Sequence, residues 1–186
     1  MNIIVDNYDS FTYNLVQYVG SIDEDVLVYK NDKISINQII KLNPHNIIIS
    51  PGPGRPEDAG VSIEIIDKLK SKFSIMGICL GHQAIASAHN ANIVNAENVI
   101  HGKTSEIYHN KDKIFNNVPS PFIATRYHSL IVDRKSLGNE FEIIAETSTG
   151  LVMGIKHRIY NLYGLQFHPE SVLTKYGMML IKNFIK

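Results

Sequence analysis

The sequence predicts an α/β protein with an open, mostly parallel central sheet that carries helices on both faces. In the first half of the chain, short apolar runs typical of buried strands alternate with segments of helical periodicity. Such alternation indicates βαβ units, whose crossover helices cover a parallel sheet. After residue 90, several short runs alternate apolar with polar residues, which predicts a small antiparallel sheet from the second half.

Four strands and four helices are predicted in the first half. The strands are expected at residues 2–6, 25–29, 46–50 and 74–78, and the helices at 11–19, 34–42, 61–69 and 82–88. Asp9 or Ser10 is the expected cap of the first helix, and Gly20 is expected to end it. The sequence PGPGRP at residues 51–56 interrupts the pattern, as only a loop can.

The second half is predicted to contain short strands and one closing helix. The strands are expected at residues 92–96, 103–108, 122–124, 130–132, 141–146, 151–156 and 162–167, and an amphipathic helix at 172–185. No repeat, low-complexity tract or interdomain linker interrupts the chain. Its 186 residues are enough to bury a substantial core, so we expect a single domain over residues 1–186.

Composition argues against several classes of protein. The 18 basic and 18 acidic residues cancel, so no basic face for nucleic acid is expected. No apolar run approaches the length of a membrane span, and the chain begins with a strand-like run instead of a signal peptide. The single cysteine permits no intrachain disulfide, which fits a reducing compartment. We therefore expect a cytoplasmic protein, or a stromal one if the gene lies in a plastid.

The single cysteine stands between two glycines, in the sequence GICLG at residues 77–81. A strand-like run precedes this sequence and a helix-like stretch follows it, which is the arrangement of a nucleophile elbow. The N–H groups and dipole of the following helix favour an anion, so the thiolate of Cys79 would be stabilised there. The alternative is a small buried apolar residue, which is the commoner role of an isolated cysteine.

A candidate proton carrier follows the last predicted strand, in the sequence QFHPE at residues 166–170. His168 and Glu170 are two residues apart, so both point to one side of extended backbone, and Pro169 stiffens the segment between them. The carboxylate can accept the second imidazole N–H and so set the tautomer and orientation of the ring. Taken alone, the tripeptide fits a surface turn better, because short motifs often match by chance.

Two loops are candidates for an oxyanion hole, which an attacking thiolate requires. The first donor would be the N–H of Leu80, immediately after the nucleophile. The glycines of residues 51–56 would let a second backbone N–H approach a ligand closely; the alternative for this loop is a rigid turn.

The histidines do not indicate a metal site. The spacing of His82, His101, His109 and His128 is not typical of zinc ligands, and Cys79 is better used as a nucleophile. We expect no metal and no cofactor in this chain. His89, His109 and His157 are predicted to be solvated surface residues.

Four motifs occur in one order along the chain: SPGPG, GICLGHQ, RYHSL and QFHPES. Together they resemble the class I glutamine amidotransferases of the anthranilate synthase component II and para-aminobenzoate synthase type. The resemblance covers nearly the whole chain, from DNYDSFT at residues 6–12 to the last helix. It implies the flavodoxin-like fold of class I glutaminases and hydrolysis of glutamine through a cysteinyl thioester.

The resemblance implies a role for each matching residue. Cys79 would be the nucleophile, His168 the general base and acid, and Glu170 the residue that orients the imidazole. The backbone N–H groups of Gly52 and Leu80 would hold the oxyanion. The residues implied to bind glutamine are Gly52, Pro53, Gly54, Gln83, Ser129 and Leu130.

The resemblance also implies a partner, a synthase (component I) subunit that binds chorismate and uses the released ammonia. Its product would be anthranilate, for tryptophan biosynthesis; the alternatives are aminodeoxychorismate, for folate biosynthesis, or service to both partners. Loop 7–12 lies at the same predicted sheet edge as Cys79, and its aromatic residues Tyr8 and Phe11 make it a candidate docking surface. The alternative is that these two residues pack into the core of the chain itself.

Three other classes of function remain open from the residues alone. A cysteine hydrolase or peptidase on the same fold would share the elbow and His168. A flavodoxin-like binding module would use loop 7–12 for phosphate, although that loop contains no glycine. A non-catalytic interaction subunit would not need the three proposed catalytic residues.

Overall fold

One mixed sheet runs through the part of the chain that the structure describes, with nine strands in the spatial order 2-1-3-4-9-8-7-5-6. The computed structural model describes the backbone of residues 1–186 and the side chains of residues 1–96 and 102–186. The strands are β1 Asn2–Asp6, β2 Val26–Lys30, β3 Asn46–Ile49, β4 Ser74–Ile78, β5 Ile93–His109, β6 Phe122–Val132, β7 Phe141–Glu146, β8 Val152–His157 and β9 Leu162–Leu165. The helices are α1 Thr12–Ile22, α2 Ile36–Leu42, α3 Ser62–Leu69, α4 Leu80–Ser87 and α5 Gly177–Ile185.

The first four strands and β9 form the parallel half of the sheet. β1 pairs with β2 and β3, β3 pairs with β4, and β4 pairs with β9, all in parallel. These strands are apolar on both faces because helices cover both sides, as expected for a parallel sheet. The predicted α/β class, with helices on both faces of a central parallel sheet, is confirmed, and the sheet as a whole is mixed.

Each face of the parallel sheet has its own hydrophobic core, because successive strand residues point to opposite sides. Ile4 and Ile48 pack with Leu15 of α1 and Leu180 of α5 on one face. On the other face, alternate strand residues pack against α2, α3 and α4; this core includes Ile3, Ile47, Ile39, Ile66 and Ile85. The two cores fix β4 in the middle of the sheet, with α4 on one side of it.

The antiparallel strands of the second half continue the same sheet and do not form a separate one. β9 pairs with β8, β8 with β7, and the end of β5 with β7, all antiparallel. The runs at 92–96 and 103–108 belong to the single strand β5, and those at 122–124 and 130–132 to β6. Register shifts near the middle of the β5–β6 ribbon break the apolar alternation, which explains why the sequence reads as shorter strands.

The first helix differs from the prediction at both ends. Its N-cap is Phe11, not Asp9 or Ser10, and the Asp9 carboxylate instead accepts the N–H of Phe11 at 2.7 Å. Gly20 does not end the helix, which continues to Ile22, where the N–H of Asp23 closes the last turn on the carbonyl of Val19. A single glycine weakens a helix by only about 1 kcal/mol, so packing of α1 on the sheet outweighs it.

The last helix begins at Gly177, five residues later than predicted. Turns occupy the intervening segment because Thr174 forms bonds that compete with a helix. Its hydroxyl donates to the carbonyl of His168 at 2.7 Å and accepts the N–H of Thr125 at 3.0 Å. These bonds tie the residues after His168 to β6.

Within the described residues, no helix is long and apolar enough to cross a membrane.

Candidate active site

Cys79 occupies a strained turn between β4 and α4. Its φ of 53° and ψ of −99° lie in a region that residues with side chains rarely adopt. The turn is tight because a Cβ on Gly77 would collide with the carbonyl of Gly81, and a Cβ on Gly81 would collide with the carbonyl of Ile49. The strain lifts the Cys79 side chain to the N-terminus of α4, where the first N–H groups have no partner within the helix.

His168 and Glu170 form a buried pair at the end of the neighbouring strand. Nδ1 of His168 lies 2.6 Å from Oε1 of Glu170, and both side chains are almost fully buried. The N–H of His168 donates to the carbonyl of Thr125 on β6 at 2.9 Å, which fixes the backbone at this point. The carboxylate therefore holds the Nδ1–H tautomer and leaves Nε2 for proton transfer.

Strand order brings the cysteine and the histidine together. β4 and β9 are adjacent and parallel, with Ile78 opposite Leu165, and the N–H of Cys79 donates to the carbonyl of Leu165 at 2.8 Å. Burial alone lowers the pKa of His168, but its interactions with Cys79 and then with Glu170 outweigh burial and raise that pKa to about 10. An imidazolium next to a thiolate is the ion pair expected of a reactive cysteine.

A cavity of about 190 Å³ opens beside Cys79. It is lined by backbone of the glycine-rich loop, by the start of α4 and by the middle of β6; the lining residues are Gly52, Pro53, Gly54, Cys79, Leu80, Gln83, Tyr127, His128, Ser129 and Leu130. Every residue assigned to glutamine or to the oxyanion by resemblance lies in this lining, whereas His168 and Glu170 are not part of it. Leu80 is the first residue of α4, so helix geometry leaves its N–H available to a ligand.

Two glutamine side chains join the far wall of the cavity to the cysteine. Nε2 of Gln83 donates to the carbonyl of Leu130 at 3.0 Å and to Oε1 of Gln166 at 3.1 Å. Nε2 of Gln166 in turn lies 3.6 Å from Sγ of Cys79. No sequence motif assigns a role to Gln166, although its position two residues before His168 is a signal that it lies near the site.

A buried arginine and histidine support the same wall from β6. Nε of Arg126 donates to Nε2 of His128 at 3.0 Å, and Nδ1 of His128 lies 3.0 Å from the carbonyl of Leu130. Burial first, and then the Arg126 charge, lower the pKa of His128 to about 4, so this imidazole is neutral at pH 7. Its Nδ1–H therefore donates to Leu130 and its Nε2 accepts from Arg126.

Asn7 connects the glycine-rich loop to three other elements. Its backbone N–H donates to the hydroxyl of Ser50 and its side-chain amide to the carbonyl of Ser50, both at 2.9 Å. Its side-chain oxygen accepts from Asn31 and Ser62, both at 3.0 Å. Gly52 lies so close that a Cβ there would be 2.6 Å from Cβ of Asn7. The loop that offers the predicted oxyanion donor is thus held by a buried polar network.

The aromatic residues of loop 7–12 are on the surface. Tyr8 is 54% exposed and its hydroxyl donates to Asp32 at 2.7 Å, while Phe11 is 41% exposed. The alternative prediction, that these two residues pack into the core, is therefore wrong. Phe11 stacks on Tyr127 at a ring distance of 5.7 Å, and Tyr127 meets the His168 ring edge-on at 5.1 Å. Loop 7–12 is therefore linked to His168 through the ring of Tyr127.

The remaining histidines have structural surroundings. His82 is fully buried, and burial lowers its pKa to about 3. His157, predicted to be solvated, is buried, and its Nδ1 accepts the N–H groups of Ile159 and Tyr160; His89 is half-buried against its ring. The side chain of His101 lies outside the described residues. Among the side chains that are described, no group of three histidine, cysteine or acidic residues could hold a metal ion.

Comparison with known families agrees with the arrangement of the site. The family model for "Glutamine amidotransferase class-I" matches residues 3–186. The chain belongs to this family. Its four sequence motifs all fall within the matched residues, and the amidotransferase match includes both the strained Cys79 turn and the His168–Glu170 pair.

Several curated relatives are similar to this amidotransferase over its whole length. "Anthranilate synthase component 2" of Porphyra purpurea is 50% identical over 186 residues, which is 100% of this chain and 98% of that protein. "Aminodeoxychorismate/anthranilate synthase component 2" of Bacillus subtilis is 47% identical, over 100% and 96% of the two chains. "Bifunctional protein TrpGD" of Thermotoga maritima is 49% identical, and there the amidotransferase chain spans only 31% of the relative.

Solved structures share the fold of the amidotransferase. A "putative gmp synthase" protein from Thermoplasma acidophilum superimposes with a TM-score of 0.86 at 25% identity, over 99% of this chain and 91% of that one. A glutamine amidotransferase from Thermotoga maritima gives a TM-score of 0.79 at 12% identity, over 99% and 95% of the two chains, which is a likeness of fold alone.

Proposed function

We propose that this chain is the glutaminase subunit of anthranilate synthase. It hydrolyses glutamine at Cys79 and supplies ammonia to a chorismate-using synthase subunit, in the biosynthesis of tryptophan. The observation that carries the proposal is the meeting of a strained cysteine at a helix N-terminus with a buried histidine–glutamate pair, beside a cavity lined by backbone and amide groups. Full-length similarity to anthranilate synthase component 2 of Porphyra purpurea supports the choice of partner.

The proposed reaction uses three side chains and two backbone donors. The Cys79 thiolate attacks the side-chain amide carbon of glutamine, and the N–H groups of Gly52 and Leu80 bind the oxyanion that forms. His168, protonated through its pairing with Cys79 and Glu170, gives its Nε2 proton to the departing nitrogen. Ammonia leaves, and water deprotonated by His168 then hydrolyses the glutamyl thioester to glutamate. None of these steps needs a metal ion or a cofactor.

Glutamine binding is assigned to the cavity beside Cys79. Both N–H bonds of the Gln83 amide are used, by Leu130 and by Gln166, so its Oε1 is the atom left to accept from the α-ammonium group of a substrate. The backbone of Ser129 and Leu130 and the loop 52–54 form the rest of the lining. A substrate held there would direct its side-chain amide toward Cys79.

The proposed partner covers an apolar surface next to the site, which we call the docking surface. It consists of loop 7–12 and the exposed residues after Glu170, where Val172 is 87% and Leu173 is 55% exposed. The loop is close to the His168–Glu170 pair, because Phe11 stacks on Tyr127 and Tyr127 contacts the His168 ring. We assign this surface to the synthase partner because ammonia released beside it must reach the acceptor before water protonates it.

A glutaminase assay with purified partners tests the proposal. The isolated chain should hydrolyse glutamine slowly, and an anthranilate-forming synthase subunit should accelerate it, more so with chorismate bound. Cys79→Ala should abolish the glutamine-dependent reaction, while the complex still forms anthranilate from ammonium salt, because the acceptor chemistry lies on the partner. Glutamine hydrolysis by Cys79→Ala, or full speed without a partner, would contradict it.

A matched pair of surface variants tests the docking surface. Leu173→Ser should weaken co-purification with the synthase partner and reduce its acceleration of the glutaminase. Ile159→Ser changes a residue that is 81% exposed in the turn between β8 and β9, so it should leave both unchanged. Equal binding by the two variants would place the interface elsewhere.

A second candidate function is to supply ammonia to an aminodeoxychorismate synthase, either instead of anthranilate synthase or as well as it. The observation that favours it is the name of the Bacillus subtilis relative, which combines both activities at 47% identity over the full chain. The same assay with an aminodeoxychorismate-forming subunit decides between them. A peptide library incubated with the chain addresses the remaining possibility of a peptidase, which would cleave peptides and leave glutamine intact.

A further inference from the structure

Gln166 touches the nucleophile, yet the reaction described above does not use it. Its side chain is fully buried, and its Nε2 lies 3.6 Å from Sγ of Cys79. A thiolate accepts hydrogen bonds, and a donor to the charged form of a group stabilises that form. Apart from His168, the amide of Gln166 is the side-chain group that meets the sulfur among the described residues.

The direction of this hydrogen bond is fixed by a backbone carbonyl. The carbonyl of Leu130 can only accept, so Gln83 must present its NH₂ group to it. The second N–H of the same group then donates to Gln166, which must present its oxygen there. The amide of Gln166 has therefore only one orientation, with its NH₂ group toward Cys79. No flip of either amide satisfies all three contacts.

The carbonyl of Leu130 is itself held in place from β6. The neutral His128 donates to it from Nδ1 and accepts from Arg126 at Nε2. Arg126 also donates to the hydroxyl of Ser105 at 3.1 Å. A connected set of hydrogen bonds thus runs from β5 and β6, across the glutamine cavity, to the sulfur of Cys79. The carbonyl of Leu130 accepts from both His128 and Gln83, and from Gln83 onward each group donates toward the sulfur.

We propose that Gln166 is a further catalytic residue, which donates a hydrogen bond to the Cys79 thiolate and keeps it charged and aimed before glutamine arrives. Gln83 acts as its positioning residue. When the thiolate attacks, the negative charge moves from sulfur to the oxyanion, and the bond from Gln166 weakens as those from Gly52 and Leu80 form. The inference rests on the proposed function for the identity of the reaction, but the reactivity of the thiol can be measured without glutamine or a partner.

Alkylation of the single cysteine provides the test. The rate at which iodoacetamide modifies Cys79 is measured from pH 4 to pH 10 for the parent chain, Gln166→Met and Gln166→Glu. Met preserves the length of the side chain and removes the donor, while Glu preserves the shape of the side chain and turns an oxygen toward the sulfur. Gln17→Met, on the exposed side of α1, is the matched control. Thermal unfolding shows which variants are folded.

We expect the midpoint of the alkylation profile to move up by about one pH unit in Gln166→Met and by more in Gln166→Glu, with the plateau at high pH unchanged. The control should match the parent. A merely loosened structure would raise the rate at every pH and leave the midpoint in place, which would overturn the proposal. An unchanged midpoint in Gln166→Glu would overturn it as well, and this isosteric variant decides alone if Gln166→Met does not fold.

Discussion

At the scale of single residues, the site combines strain with buried charge. The φ and ψ of Cys79 cost about 1–3 kcal/mol relative to a relaxed residue. The turn is retained because the Cys79 N–H donates to Leu165 and because Gly77 and Gly81 leave no room for an alternative path. The His168–Glu170 pair is buried behind it. A stiff backbone therefore carries Cys79 and His168, so in the proposed reaction neither group has to be ordered when a substrate binds.

Removing His168 should damage turnover far more than removing Glu170. In the proposed reaction His168 transfers the proton itself, whereas Glu170, which contacts Nδ1, orients the ring and stabilises its charge. We expect His168→Ala to lower kcat for glutamine hydrolysis by roughly 10⁴-fold or more. Glu170→Ala should lower it by only roughly a hundredfold. The measurement is glutamine turnover in the complex with its synthase partner, and ammonia-dependent synthesis is the control. Equal losses in the two variants would mean that Glu170 handles a proton directly.

At the scale of elements, the site depends on how β4, β9 and α5 fit together. Pro169, between the two paired residues, is in contact with the first residue of α5. A Cβ on Gly177 would collide with the carbonyl of Pro169, so the helix approaches the His168–Glu170 segment as closely as backbone allows. Thr174 holds the same segment to β6 from the other side. The start of α5 is thus a structural support of the active site.

Gly177→Ala and Gly20→Ala should have opposite effects. Both glycines lie in helices, but a methyl group on Gly20 would meet only Cγ1 of Val26, at 3.9 Å, whereas one on Gly177 would collide with Pro169. We expect Gly20→Ala to stabilise the chain by about 0.5–1 kcal/mol and leave activity unchanged. Gly177→Ala should destabilise it by about 1–3 kcal/mol and slow alkylation of Cys79 through displacement of His168. Urea unfolding and alkylation rates measure both; equal stability of the two variants would contradict the close contact.

The sequence predicts elements where one local rule dominates. The elbow is readable because glycine, cysteine and glycine stand between a strand and a helix. The spacing of His168 and Glu170 predicts their pairing through extended backbone, but in the structure Pro169 and Glu170 lie in a turn, where the N–H of Ser171 donates to the carbonyl of His168 at 3.3 Å. The start of α5 is not readable, because Thr174 is held by Thr125, 49 residues away. Periodicity alone treats such a threonine as one more helical residue.

Long-range partners also explain what was missed within the site. Gln166 obtains its orientation from Gln83, which is 83 residues away, and Leu130 is 47 residues from Gln83. Phe11 has helical spacing with the apolar face of α1, yet it lies at the N-cap and stacks on Tyr127 of β6. The local sequence around a residue does not predict which distant strand carries the residue that it contacts.

At the scale of the whole molecule, buried histidines make stability depend on pH on both sides of neutrality. The pKa of His82 is lowered to about 3 by burial, so below pH 6.5 this imidazole becomes protonated in the unfolded chain but stays neutral in the folded chain. Stability is therefore lost as pH falls from 6.5 toward 3. His168 acts in the opposite direction, because its pKa is raised to about 10. Its contribution is complete below pH 6.5 and is lost as pH rises toward 10.

Replacing His82 should flatten the acid side of the stability profile. As pH decreases from 6 to 4, the free energy of unfolding should fall less steeply in His82→Leu than in the parent chain. The difference between the two slopes should be about 1.4 kcal/mol per pH unit. Above pH 7 the imidazole is neutral in both states, so the difference between variant and parent should not change with pH there. Urea unfolding at a series of pH values measures both regions. Parallel curves down to pH 4 would show that His82 is not kept neutral by burial.

The central position of β9 has a consequence for how the chain is made. Ile75 of β4 pairs with Leu162 of β9, so the contact that closes the sheet is among the most distant in sequence and the slowest kind to form. During synthesis, β4 and its cysteine emerge long before β9 and the histidine, and until β9 inserts, both β4 and β8 are unpaired edges open to other chains. The nascent chain thus carries the thiol before it has the histidine, and the proposed chemistry depends on the last strand of the chain to be synthesised.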